Sequence, residues 1–386
     1  MAKKIIRKWL YIAEGEDILL DILLGTIIGN KIMEFLTPIW IFFIGASGSG
    51  KTEILNSVKN SPDTCFISNF STKSFASGYS SKKQGKENKD FSLLPKIDKK
   101  VLIIKDFTTL ISARREVRRE IFGILRDAFD GHYAKAFGSE AETKEYNANF
   151  GVVVGCTPAI DKYQSFDNDL GERFLKVRFK KQNTRDMVER ALAGFDQETE
   201  MREEISKYVL KCLEIDGSPE KTKINFENDK LKKKIILLSD IGSKLRTHVS
   251  RDGAHKIVHF EPEPEVGTRL VKQISKLLHG IAIVREKTEI TDEEYQIALR
   301  IIHDNMTSYN VRILQQLLIR EGTLEYIIEE TKIPRATATI YLEDLELLDI
   351  INRNKREYFI ADSAKSAFDE TGFSEYLMEE YEKKMR

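Results

Sequence analysis

The sequence predicts an α/β fold, a mostly parallel sheet covered by helices, with a helical region and a small helix-and-hairpin module after it. Three observations carry this. Short apolar runs at residues 39–44, 101–104 and 151–155 are bounded by turn residues, as strands buried on both faces are. Helical periodicity lies between such runs, notably at residues 116–130, so strands and helices alternate. From about residue 185 to about residue 305 the pattern is helical throughout.

Taken in order, residues 1–36 read as a helical segment with Ile18, Leu19, Ile22, Leu23, Ile27 and Ile28 apolar. Pro38 and Gly45 bound the first strand, and short strands fit residues 64–68 and 175–179. Residues 71–98 are polar and lysine-rich and read as loop. The expected division is 1–36, an α/β core at 37–185, a helical region at 186–305, a compact module at 306–362 and a charged C-terminal helix at 363–386.

Composition narrows the class. The chain has 386 residues, 41% hydrophobic and 32% charged, which suits two or three soluble domains. Its 61 basic and 61 acidic side chains balance, so any nucleic-acid surface must be local. Cys65, Cys156 and Cys212 are far apart and in no metal-ligand spacing, which points to a reduced, cytoplasmic protein without disulfides or structural zinc. Acidic residues from Glu14 to Asp21 break the apolar stretch behind the basic start, so no signal peptide and no membrane span is expected.

The most specific pattern is Gly45-Ala46-Ser47-Gly48-Ser49-Gly50-Lys51-Thr52, set between an apolar strand and a helix. It satisfies G-x-x-x-x-G-K-[ST] in its required context. Glycines let successive backbone N–H groups turn inward around an anion. Lys51 is expected on the β- and γ-phosphates of ATP, and the Thr52 hydroxyl on Mg²⁺. A second acidic element fits Val101-Leu-Ile-Ile-Lys105-Asp106-Phe107. Counting four apolar residues puts Lys105 where a metal-binding Asp belongs and Asp106 where a catalytic Glu belongs. The other register makes Asp106 the metal ligand and leaves Phe107 in the Glu place. Neighbouring strand residues face opposite sides, so one of the two faces the pocket, and Asp106 is the expected carboxylate in either case. The second acid of the usual pair is absent, which weighs against fast hydrolysis.

The following segments resemble AAA+ ATPases, and in several places the minichromosome maintenance (MCM) helicase group, over roughly residues 20–305. Lys105-Asp-Phe-Thr-Thr-Leu falls where that group has Asp-Glu-Phe-Asp-Lys-Met. Residues 130–138 sit like the stretch leading into its DNA-contacting hairpin, which implies DNA contacts from residues 131–148, with Lys135, Lys144 and His132 as candidates. Val152-Val-Val-Gly-Cys-Thr157-Pro158 looks like the sensor 1 strand, with Thr157 in place of Asn. Leu170-Gly-Glu-Arg173-Phe174 is similar to the Ser-Arg-Phe-Asp element, whose Arg reaches a neighbouring subunit's ATP. The segment around Arg269 looks like the sensor 2 helix, and the segment after Ile290 like the last lid helix. A planar guanidinium suits the charge that develops on a phosphate being cleaved, so Arg173 and Arg269 are candidate catalytic residues. The resemblance implies a homo-oligomeric, hexameric ring. MCM proteins carry a large N-terminal DNA-binding domain, often with zinc; here fewer than fifty residues precede the phosphate loop. That suits a reduced version from a phage, plasmid or other mobile element.

The module at residues 308–361 is similar to a winged helix-turn-helix. Helices fit residues 309–320, 324–331 and 335–348, with Pro334 opening the third. Arg335, Thr337, Thr339 and Tyr341 stand early on that third helix, the one expected in a DNA groove. Arg353, Lys355 and Arg356 form a basic tip between two short strands, suited to phosphate. Glu343, Asp344 and Glu346 on the same helix oppose that reading. The sequence is therefore expected to specify an ATP-dependent AAA+ motor on DNA, an MCM-like helicase or translocase. An ATP-switched DNA-binding regulator or initiator without unwinding activity is the alternative.

Overall fold

The computed structural model describes residues 16–32, 37–68, 72–75, 80–81, 89–90, 92–136, 143–162, 171–180, 184–215, 223–252, 257–258 and 261–385. They form two compact units: Met1–Asn225 with Lys276–Thr288, and Phe226–Ser275 with Glu289–Arg386.

The first unit is a five-stranded parallel sheet. Helix α1 (Ile18–Ile32) precedes β1 (Trp40–Ile44), which feeds helix α2 (Lys51–Ser57). Then come β2 (Thr64–Ile67), β3 (Val101–Ile104), helix α3 (Arg115–Phe129), and an antiparallel hairpin of β4 (His132–Ala136) and β5 (Thr143–Asn147). Strands β6 (Gly151–Cys156) and β7 (Phe174–Arg178) complete the sheet, whose order is β2-β3-β6-β1-β7. Strands β1, β3 and β6 are buried at every position, because helices cover both faces. One face packs Trp40, Phe42, Leu102, Val152, Val154 and Phe174 under Phe122, Leu125 and Phe129 of α3. Phe42 stacks on Phe174 with centroids 4.1 Å apart, and the Trp40 indole N–H donates to the Phe150 carbonyl at 2.9 Å.

The other face is set by α1, buried from Leu19 through Asn30 apart from Asp21, a helix apolar on nearly every side. Small residues let it approach closely. A Cβ on Gly151 would fall 2.2 Å from the Asn30 amide nitrogen, and Asn30 itself brackets the Ile39 backbone with two hydrogen bonds. Residues 276–288 pack against α1 in turn. A Cβ on Gly280 would lie 2.0 Å from the Gly25 carbonyl oxygen, and Arg285 makes two hydrogen bonds to Asp21. Beyond residue 180, helix α4 (Glu198–Leu213) adds to this unit. Residues 94–97, inside the stretch expected as loop, form a helical turn, with Leu94 and Ile97 buried. Most of residues 71–91, and residues 137–142 within the stretch expected to contact DNA, lie outside the described residues.

The second unit contains α5 (Asp229–Arg246), the first part of α6 (Thr268–Val284), α7 (Asp292–Asn305) and α8 (Ser308–Ile319). These are followed by β8 (Gly322–Thr323), α9 (Leu324–Thr331), α10 (Arg335–Leu347), β9 (Ile351–Asn354) and β10 (Glu357–Ile360). The three strands form an antiparallel sheet in the order β8-β10-β9. Side-chain oxygens cap the starts of α8 and α9 from Thr307 and Thr323. The expected single charged helix at the C-terminus is two helices, α11 (Asp362–Thr371) and α12 (Phe373–Met385). Gly372 breaks them at φ 75°, a left-handed conformation that caps α11. Both are anchored in the unit: the Tyr295 hydroxyl donates to the Thr371 carbonyl at 2.8 Å, and the Gln315 amide to that of Leu377 at 2.9 Å. No helix among the described residues is long and apolar enough to cross a membrane.

Gly280→Val is expected to destabilise the protein by about 1–3 kcal/mol, since the added carbons meet backbone that has no room to yield. Thermal melting of the intact chain checks this; an unchanged melting temperature would mean that α1 and residues 276–288 do not meet at that point.

Candidate functional site

Parallel pairing brings the carboxyl ends of β1, β6 and β3 to one edge. Ile44 stands beside Cys156 and Arg178, and Ile104 beside Val154. The loop of residues 45–52 leaves this edge from β1, and the Gly45 N–H donates to the Cys156 carbonyl at 3.1 Å. Gly48 and Gly50 have φ of 77° and 83°, which side chains other than glycine rarely adopt. Gly45 has no room for a side chain, as a Cβ would meet Ser49 Oγ at 2.7 Å and Phe179 at 2.9 Å. Ala46, Ser47, Gly48 and Thr52 are exposed, so the loop is open to a ligand.

Lys51 folds over the loop and donates to the carbonyls of Gly45 and Ala46 at 2.6 Å each. Burial lowers its pKa, opposed at neutral pH by the negative charge of Asp106. A phosphate would exchange these neutral carbonyls for charged oxygens, a stronger partner for an ammonium in a partly desolvated place. Burial pushes the Cys156 thiol up to about 12, so it stays uncharged there at neutral pH.

Of the two neighbours that end β3, Asp106 is the one coupled electrically to Lys51. The Lys105 ammonium instead lies 5.6 Å from the centroid of the Phe66 ring on β2. Asp106 is exposed, and its Oδ1 accepts the Thr108 N–H at 2.8 Å, which fixes the carboxylate in a tight turn. Phe107 is buried in the core, its ring 5.7 Å from that of Phe42, so no second carboxylate follows Asp106. Gly155 fixes this turn from β6. Its carbonyl accepts the Phe107 N–H at 3.0 Å, and a Cβ on it would strike the Lys105 carbonyl oxygen at 2.4 Å.

Thr157 directly follows β6, half-buried, and so stands near the phosphate loop. Arg173 lies at the opposite end of the sheet. It precedes Phe174, which is level with Trp40 at the start of β1. A five-residue strand separates the two ends by roughly 17 Å, which sets Arg173 away from its own chain's phosphate loop. Its largely buried guanidinium sits 3.5 Å from Asp130 and over the Phe129 ring at 5.3 Å. In the hairpin, Lys135 and Lys144 are register partners and His132 lies 3.8 Å from Glu145. The sequence reading missed Arg178, next to Ile44, which is held in a two-point ion pair by Asp161 at 2.7 and 2.8 Å. Only strand pairing reveals that neighbour, and no motif marks it.

In the second unit, Arg269 pairs with Glu265 at 2.9 Å, and the buried Arg246 binds the same carboxylate at 2.5 Å. Arg335 is exposed and pairs with Glu325 at 2.9 Å, Thr337 is half-buried, and Thr339 is exposed. Arg353, Lys355 and Arg356 are all exposed at the β9–β10 turn. Arg353 donates to the Lys355 carbonyl, and Lys355 takes φ 53°. The acids that opposed a DNA reading of α10 are partly accounted for inside the unit. Arg251 binds Glu343 at 2.9 Å and Asp344 at 2.6 Å, leaving Glu346 exposed.

Residues 41–182 match the family described as ATPase family associated with various cellular activities (AAA). No curated protein matches the chain. The match runs from the second residue of β1 to just beyond β7 and contains the phosphate loop, Asp106, Thr157 and Arg173. The chain thus carries an AAA ATPase domain, and such a domain binds ATP.

Lys51→Ala is expected to weaken ATP binding by at least about tenfold, or about 1.4 kcal/mol, by removing the cation of the phosphate loop. Fluorescence titration with a nucleotide analogue reads this, and undiminished affinity would show that the phosphates are held elsewhere. Asp106→Asn is expected to stop hydrolysis while sparing most of the affinity. Phosphate release at the parental rate would remove Asp106 from the chemistry.

Proposed function

We propose that this protein is an AAA+ ATPase that acts on DNA as a homo-oligomeric, hexameric ring, an MCM-like helicase or translocase of a mobile element or phage. The observation that carries the DNA reading is the exposed cluster Arg353, Lys355 and Arg356 at a turn between two short strands, beside a helix-turn-helix arrangement of α9 and α10. That layout suits a winged helix, with α10 facing bases through Arg335 and Thr337 and the turn resting on phosphate. The hairpin bearing Lys135 and Lys144 is a second candidate contact.

Thr52 and Asp106 offer hard oxygen donors beside the phosphate loop, which fit Mg²⁺; the ion would neutralise phosphate charge during cleavage. Lys51 holds the phosphates, Thr157 at the end of β6 is the candidate sensor of the nucleotide, and Arg269 is the lid's candidate cation. Arg173 acts on a neighbouring subunit's nucleotide. To do so its guanidinium leaves Asp130, an interaction at the loose end of the ion-pair range.

A specific observation favours a second reading, the ATP-switched DNA-binding regulator or initiator. Phe107 fills the position after Asp106 and is part of the core, so the site has one acid where fast ATPases have two. Strand displacement on forked DNA separates the readings. Unwinding that needs ATP hydrolysis supports the motor, whereas tight DNA retention with a non-hydrolysable analogue and no displacement supports the switch.

Mixing Arg173→Ala protein with Lys51→Ala protein is expected to restore part of the ATPase activity, because some mixed interfaces carry both intact parts. No recovery at any ratio, with oligomers confirmed by light scattering, would remove Arg173 from a trans role. Replacing Arg353, Lys355 and Arg356 together with Ala is expected to weaken binding to all DNA sequences alike. It should also lower the salt slope by up to about three units, roughly one for each lost phosphate contact. Equal affinity and equal slope for parent and variant would make this module a protein-docking one.

A further inference from the structure

Along the flank of α2 runs a cleft of about 500 Å³, lined by Asn56, Lys59, Asn60, Lys105, Arg202 and Ser206. That volume lies within the span of small-molecule sites, roughly 300–1,000 Å³. The lining carries three cations, and its one acid, Glu53, is already engaged by Arg202 through two contacts of 3.0 Å. Arg202 also meets Glu198 at 3.2 Å. Lys59 and Lys105 have no carboxylate within ion-pair range among the described residues, and Lys105 rests against the Phe66 ring. The cleft is therefore electropositive, with a partly buried cation in its wall. Polar groups frame it as well, since the Asn60 amide, in the turn after α2, donates to Ser206 Oγ on α4 at 3.1 Å. Asn56 Oδ1 is buried with no hydrogen-bond partner, an arrangement that costs free energy until a donor reaches it.

We propose that this cleft binds a small phosphorylated molecule of nucleotide size, separately from the phosphate loop. A phosphate matches Lys59 and Lys105, which meet no carboxylate among the described residues. The cleft shares α2 with the phosphate loop, and Lys105 immediately precedes Asp106, so an occupant there touches the two elements that hold ATP chemistry. The proposal does not rest on any DNA activity, nor on the loop's own ligand.

The test uses the intact chain carrying Lys51→Ala, which weakens the phosphate loop. It is titrated by calorimetry with pyrophosphate and with AMP, and compared with the same chain carrying Lys59→Ala and Asn60→Ala in addition. Saturable binding of AMP that falls at least about tenfold in the second protein is expected, together with recovery when Lys59 is changed to Arg instead. An unchanged melting temperature in both proteins excludes misfolding as the cause. ATP titration of the unsubstituted chain runs alongside, so failure of the phosphate loop and failure of the cleft are read separately. Absence of saturable heat at millimolar AMP, or affinity indifferent to Lys59 and Asn60, overturns the proposal. It is equally overturned if a twenty-residue oligothymidylate binds this cleft while AMP and pyrophosphate do not, because the surface would then serve a nucleic-acid strand.

Discussion

The acid-bearing half of the candidate site depends on how closely β3 can lie against β6. Gly155 has no side chain, so the backbone at Lys105 comes within reach of it, and the Gly155 carbonyl takes the Phe107 N–H. That single close approach ends β3, drives Phe107 into the core and leaves the Asp106 carboxylate at the surface near Lys51. Any larger residue at 155 would push the acid-bearing turn away from the strand that precedes Thr157. The phosphate loop, by contrast, is shaped by its own glycines and by the Gly45 contact with Phe179, so the two halves of the site have separate geometric origins.

Much of this was legible in the sequence. The runs at 39–44, 101–104 and 151–155 are strands to within a residue, because a strand buried on both faces must be apolar throughout. The loop of residues 45–52 was legible because backbone geometry there demands specific residue types at fixed spacing. Asp106 was legible as the carboxylate in either register, but the turn that presents it was not, since it is held by a contact with Gly155, fifty residues on from Lys105. Arg178 was likewise hidden, because its place beside Ile44 follows from strand order, which no local pattern encodes. The C-terminal segment misled as a single charged helix. Most of its charges lie on the surface, while Phe373, Leu377 and Glu380 are buried and Gly372 breaks the run.

Charge in the second unit shows why counting residues along one helix is a poor guide to its surface. Glu343 and Asp344 count against an anionic partner when α10 is read alone. In the folded unit they answer Arg251, ninety-three residues away from Asp344, while desolvation raises the Asp344 pKa and the arginine's hydrogen bonds oppose that rise. Arg335 is similarly matched by Glu325, whose own pKa that arginine lowers. The charges at the β9–β10 turn are set apart from these acid partners by chain geometry: a tight turn with Lys355 in the left-handed region turns three cations outward.

The segment that carries the family signature is shorter than the compact unit that contains it. Residues 41–182 hold the phosphate loop, Asp106, Thr157 and Arg173, yet one face of their sheet is roofed by α1. α1 in turn is gripped by residues 276–288 through bare glycine backbone and the Arg285–Asp21 pair. A fragment cut to the signature would expose Ile41, Phe43, Ile103 and Val153 as a sticky apolar sheet, and would lose the Asn30 clamp on the entry to β1. Dissection of this protein therefore has to follow contacts and not homology. The smallest piece that keeps its catalytic sheet covered is discontinuous in sequence, which makes chain reconnection, not truncation, the practical route to an isolated ATPase unit.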